Sequence, residues 1–243
     1  MEYELYMNSL FMVENEDFII YSNQSLKSFV EKTYDDLNAN KKRILEYFGI
    51  DSFRKVTLIL YDNLNTFRKF VLSLREKDAL LPDYATGVFD KGMISRYINP
   101  NDIKSDIKFK LKSKQNIHEL IHIINQEEIY KDRVVWLDEG LATNLSGEKE
   151  SLNDNKEFIS FLRKKIIPIK NLPIMNNLIH GNNFINKDYN GYDLAYLCVR
   201  YLIETMTMKS FQNMLRNYDL SIETGKNVLQ KAIEYYKEKV NLP

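Results

Sequence analysis

Two of the chain's three histidines stand four residues apart, in Asn116-Ile117-His118-Glu119-Leu120-Ile121-His122. Four residues are close to one α-helical turn, so both imidazoles leave one face of a helix and can reach a common point. Ile117, Leu120, Ile121 and Ile124 fall on the neighbouring face, which is the one such a helix buries. A chain carrying this segment must therefore build a half-buried helix that presents two nitrogen ligands together. Glu119 sits beside the first histidine, where a carboxylate can take a proton from a water held by a metal ion.

The rest of the composition narrows the setting. With 34 Lys+Arg against 34 Asp+Glu in 243 residues, the formal net charge is zero, so no long-range field gathers phosphates and nucleic acid is not an expected partner. A hydrophobic share of 44% belongs to a globular chain with ample core. The single cysteine, Cys198, excludes an internal disulfide framework and a cysteine-based zinc site. Acids at Glu2, Glu4, Glu14, Glu16 and Asp17 break up the start of the sequence. Neither a signal peptide nor a transmembrane segment is read there, and a cytoplasmic location is expected.

The pattern along the chain changes once. Phe18 to Tyr21 reads as a short buried strand, with Ser22 or Asn23 offering a helix cap after it. Leu26, Phe29, Val30, Tyr34, Leu37, Ile44, Leu45 and Phe48 then recur at helical spacing until Gly49. Val56 to Tyr61 is strand-like by β-branching and brevity, and Phe67, Phe70, Val71 and Leu74 mark a second amphipathic helix. Tyr84 to Tyr97 reads as a hairpin turning at Asp90 to Gly92. Beyond Lys110 the sequence suggests successive helices interrupted at Pro168, Pro173, Gly181 to Asn183, and Gly225. The expectation is an α+β protein. Residues 1–128 form a mixed α/β lobe, with a small sheet and an edge hairpin, ending in the histidine helix; residues 129–243 form a mostly helical lobe, with a cleft between the two.

A second segment supplies the missing ligand. Val134-Val135-Trp136-Leu137-Asp138-Glu139-Gly140-Leu141-Ala142 begins another helix, anchored by Trp136, Leu137 and Leu141. An early carboxylate on it, Asp138 or Glu139, can complete a His-His-carboxylate site with a fourth position open, as catalytic rather than structural zinc requires. The metzincin spacing is absent, because Asn125 and Glu128 stand where its Gly and His would be. Glu127 and Glu128 point away from the histidine face or lie too far along it.

His-Glu-x-x-His followed by Trp-Leu-x-Glu-Gly-x-Ala resembles the peptidase MA-like family of gluzincin zinc metallopeptidases, with M1 aminopeptidases and thermolysin-like enzymes as distant relatives. The resemblance implies one Zn²⁺ per chain held by His118, His122 and Glu139, not Asp138, with Glu119 as general base. It also implies that the hairpin offers an edge strand to extended substrate backbone, nominating Gly87, Val88 and Phe89. The Gly-x-Met-Glu-Asn signature of M1 aminopeptidases is missing, which favours endopeptidase action. Tyr192, in a segment outlined like the M1 Tyr-x-x-Gly-Ala helix but with Ala195 in place of Gly, is the leading candidate to hold the oxyanion. Tyr189 and His180 are the alternatives. Thermolysin-like sites place an Asp four residues beyond the Glu ligand; Thr143 stands there, so Thr143 or the adjacent Asp138 could orient a histidine.

The expected activity is hydrolysis of a peptide or protein substrate by metal-activated water. The alternative is a zinc-containing protein of this type that binds or regulates partners without cleaving them. Cys198, inside an apolar run with no histidine near it, reads as a structural thiol, and Lys110 to Lys114 as a solvated approach to the histidine helix. Oligomeric state is not encoded in any feature of the sequence.

Overall fold

The computed structural model describes residues 10–74, 86–90, 92–129, 132–181 and 183–240. They divide into two compact units, Met1–Glu46 with Ile50–Ile123, and Tyr47–Gly49 with Ile124–Pro243.

The first unit is built on one five-stranded sheet in the order β1-β2-β3-β5-β4, from β1 (Phe11–Glu14), β2 (Phe18–Ser22), β3 (Val56–Tyr61), β4 (Gly87–Asp90) and β5 (Met93–Tyr97). The central pairs β2–β3 and β3–β5 are parallel, whereas β1 and β4 run antiparallel to their neighbours at the two edges. Parallel neighbours need a crossover, and helix α1 (Lys27–Phe48) provides the one between β2 and β3. Its buried positions Phe29, Val30, Thr33, Leu37, Ile44 and Phe48 keep the three-and-four spacing that the sequence displays. Gly49 ends it at φ 61°, a left-handed conformation that costs glycine least. The expected cap is different. A short 3-10 turn, Gln24–Leu26, precedes α1, and Asn23 makes no capping bond with its side chain, which donates to Asp62 instead at 2.6 Å. On the far side of β3, Tyr61 and Ile59 pack with Phe67, Phe70 and Val71 of α2 (Leu64–Leu74).

The hairpin is present, with Asp90 opposite Met93 beside the expected turn; Tyr84, Ala85 and Lys91 of its sequence lie outside the described residues. Strand β1 went unread in the sequence: it alternates half-buried and exposed side chains and takes its place by pairing with β2. The unit closes with α3 (Asp106–Ile124), the histidine helix.

The regular elements of the second unit are all helical among its described residues, apart from one isolated bridge between Ile185 and Asn190. A π-turn, Asn125–Ile129, is followed by α4 (Val135–Ser146), α5 (Asn155–Phe161), α6 (Met175–His180), α7 (Gly191–Thr205), α8 (Met208–Leu215) and α9 (Tyr218–Lys239). The chain is thus mixed α and β, with a single small sheet among its described residues. The interruption expected at Gly225 does not occur, because this glycine lies inside α9. A Cβ there would stand 3.0 Å from Nε1 of the fully buried Trp136, so Gly225 is spent on close packing rather than on ending a helix. No helix among the described residues is long and apolar enough to cross a membrane.

Candidate metal centre

Helix α3 is fixed within the first unit by polar bonds along the two turns that precede its histidines. Arg96 of β5 is only 2% exposed, and its guanidinium donates to the Lys112 carbonyl at 3.2 Å, to Asn116 Oδ1 at 2.8 Å and to Gln115 Oε1 at 2.7 Å. Asn116 in turn donates to Thr33 Oγ1 at 3.1 Å, and Ser113 to Asp36 at 2.6 Å, so α1 holds the other flank. Phe109 meets Phe29 edge-on at 5.1 Å between centroids. Burial, with the Arg96 charge beside it, holds the Lys112 amine below its ordinary range. This anchoring sets both the height and the rotation of the helix against the sheet.

One turn further on, the imidazoles of His118 and His122 lie 4.7 Å apart between centroids and near perpendicular, as expected for side chains at i and i+4. His122 is buried and stacks on Phe89 of the edge strand at 5.4 Å, with 23° between the planes. Glu119 is half-buried, and its Oε1 lies 3.0 Å from the point where a Cβ on Gly87 would stand. Strand β4 therefore runs directly against the histidine motif. Along it, Gly87 and Phe89 meet Glu119 and His122, while Val88 packs against the Ile59–Tyr61–Phe67 cluster.

In the second unit, the first turn of α4 buries both of its acids, Asp138 (2% exposed) and Glu139 (8%). Arg133, just before the helix, donates from Nε to Asp138 Oδ2 at 2.5 Å and from Nη2 to Glu139 Oε1 at 2.7 Å. Burial works against the guanidinium charge, but the two carboxylates outweigh it and leave Arg133 above its ordinary pKa. Asn125 donates to the other oxygen of Asp138 at 2.7 Å. No signal in the sequence had marked Arg133 or Asn125; both act through partners that only the folded chain assembles. Thr143 is buried one turn beyond Glu139.

His118, His122 and Glu139 each offer a ligand atom, and these atoms all lie within 4.8 Å of one another. Two imidazole nitrogens and one carboxylate oxygen are a donor set suited to Zn²⁺, which takes such ligands at about 2.0–2.2 Å. The three ligand candidates come together; the oxyanion candidates are placed as follows. Tyr192 opens α7, whose cap is Asn190; it is 37% exposed and meets Phe184 edge-on at 5.0 Å. Tyr189 is half-buried in the segment before it. His180, expected in a loop, is the exposed last residue of α6. Cys198 is fully buried in α7, where burial pushes its thiol far above the ordinary range and away from reactivity. No protein-family model matches the chain, and no curated protein sequence matches it.

Proposed function

We propose that this chain is a zinc-dependent peptidase of the HExxH…Glu type. The observation that carries the reading is the convergence of the His118, His122 and Glu139 ligand atoms within 4.8 Å, on the residues that both sequence motifs nominate. His118, His122 and Glu139 would hold the ion. Bound there, Zn²⁺ supplies Lewis acidity that lowers the pKa of water and polarises a carbonyl.

The remaining work falls to side chains of the protein. Glu119 accepts the proton of the attacking water on its carboxylate and passes it to the leaving amine. Its closeness to Gly87 supports a substrate chain laid along β4, since an extended peptide on that edge brings its carbonyls past Glu119. Phe89, stacked on His122, shields the imidazole and gives an apolar surface beside the reacting bond. Tyr192 is the candidate donor to the oxyanion, with Tyr189 and His180 behind it. Endopeptidase action is preferred because the amine-binding signature is missing.

The test is elemental and kinetic together. Protein purified without chelators should carry one zinc per chain. Glu119→Gln should keep that zinc and lose cleavage of a mixed peptide library by about 10²–10⁴-fold, the usual worth of a general base. His122→Ala should lose the zinc itself. Absence of stoichiometric zinc from the wild-type protein would remove the reading altogether. Retained zinc without cleavage of any peptide would favour the non-cleaving alternative.

A further inference from the structure

Asp138 and Glu139 are neighbours in one helical turn, and both are buried. Two carboxylates so placed repel each other and lose hydration, so each needs compensating donors. One edge of the Arg133 guanidinium serves both, Nε to Asp138 and Nη2 to Glu139. That two-pronged edge is rigid and planar, which a lysine ammonium is not. The other oxygen of Asp138 accepts from Asn125 Nδ2. Asn125 is 1% exposed and stands three residues beyond His122, in the π-turn that continues the histidine helix. The result is an unbroken hydrogen-bonded chain, Asn125 to Asp138 to Arg133 to Glu139, in which the end of the histidine helix fixes the rotation of the Glu139 carboxylate.

We infer that Arg133 is a positioning residue for the third metal ligand, with Asp138 and Asn125 bracing it from the histidine helix. The inference rests on the zinc reading, since it gives Glu139 its purpose. Arg133 commits one Glu139 oxygen to a fixed donor, so the carboxylate is already oriented before any ion arrives. Asp138 pairs with the guanidinium and so offsets a positive charge that would otherwise oppose a cation at the site. The same arrangement assigns Asp138 a supporting part through Arg133 and Asn125.

Two variants separate geometry from charge. Arg133→Lys keeps the positive charge and loses the two-pronged edge; Asn125→Ala changes no charge and removes the brace on Asp138. Zinc affinity is read by competition against a chromophoric chelator, with circular dichroism and thermal melting in chelator to establish that each variant is folded. Each single variant should bind zinc about 10–100-fold more weakly than wild type, the usual cost of losing a partner behind a ligand. The double variant should lose less than the product of the two single losses, because both changes break one chain of bonds. Unchanged or tighter zinc binding in folded Arg133→Lys and Asn125→Ala would overturn the positioning role while leaving the zinc site standing. A wild-type protein that binds no zinc would overturn both.

Discussion

At the scale of single residues, the candidate site is defined by close approaches as much as by ligands. Gly87 is the clearest. A methyl group there would stand 3.0 Å from Glu119 Oε1 and 3.2 Å from Arg96 Nε. Arg96 cannot yield, since three hydrogen bonds to α3 hold its guanidinium in a buried position. Glu119 is the flexible partner, so the added carbon displaces the carboxylate. If the proposed function holds, Gly87→Ala should therefore keep the zinc content and the melting temperature near wild type and lower kcat/KM by up to about 10-fold, because the carboxylate has to give by only part of the ~1 Å misplacement that costs about 100-fold. Unchanged peptide hydrolysis in Gly87→Ala would show that Glu119 does not need that space.

At the scale of elements, α4 and α7 cross where Gly140 meets Ala195. A Cβ on Gly140 would lie 2.5 Å from the Ala195 carbonyl oxygen and 2.5 Å from Val199 Cγ2. The first of these is backbone and cannot rotate away, so the helices must separate. Gly140→Ala should destabilise the protein by about 1–3 kcal/mol or more, the range for overpacking a close-packed core, visible as a lower denaturation midpoint. An unchanged midpoint would mean that the crossing is looser than the geometry indicates. The elements themselves were unequally legible. Helix α1 and strand β3 announce themselves through periodicity, since burial of one face or of a short β-branched run leaves a local trace. The pairing of His118 with His122 is legible for the same reason, because one helical turn fixes which neighbours share a face, whereas the choice of Glu139 over Asp138 comes only from the resemblance of its motif. Other features depend on partners far along the chain. Strand β1 exists because β2 pairs with it, Gly225 stays helical because Trp136 needs the space, and Arg133 matters because Asp138 and Glu139 are buried beside it. None of these leaves a periodic pattern in its own segment. Tertiary contact overrides the local preference in each.

At the scale of the whole molecule, the zinc reading would link metal and fold through where the candidate ligands come from. His118 and His122 stand on a helix pinned by β5 and α1, whereas Glu139 stands on a separate helix braced by Arg133. In an unfolded chain these groups sit at sequence distances that scatter them, so a zinc ion that engages all three binds the folded state selectively. Any such ligand raises stability by mass action, by about 2.7 kcal/mol when its free concentration is 100 times its dissociation constant. For a protein of this size each kcal/mol moves the melting temperature by about 2–4 °C, so saturating zinc should raise it by about 5–10 °C over the chelated protein. Glu119→Gln should show the full shift, since in the proposed reading Glu119 is the proton acceptor and not a ligand. His122→Ala and Glu139→Ala should show little of it. The zero net charge makes this comparison clean, because a general attraction of cations to the surface is small and would be shared by all four proteins. Melting curves across a series of buffered free-zinc concentrations decide the matter: equal shifts in wild type and Glu139→Ala would show that Glu139 is not a ligand, whatever its distance from the histidines.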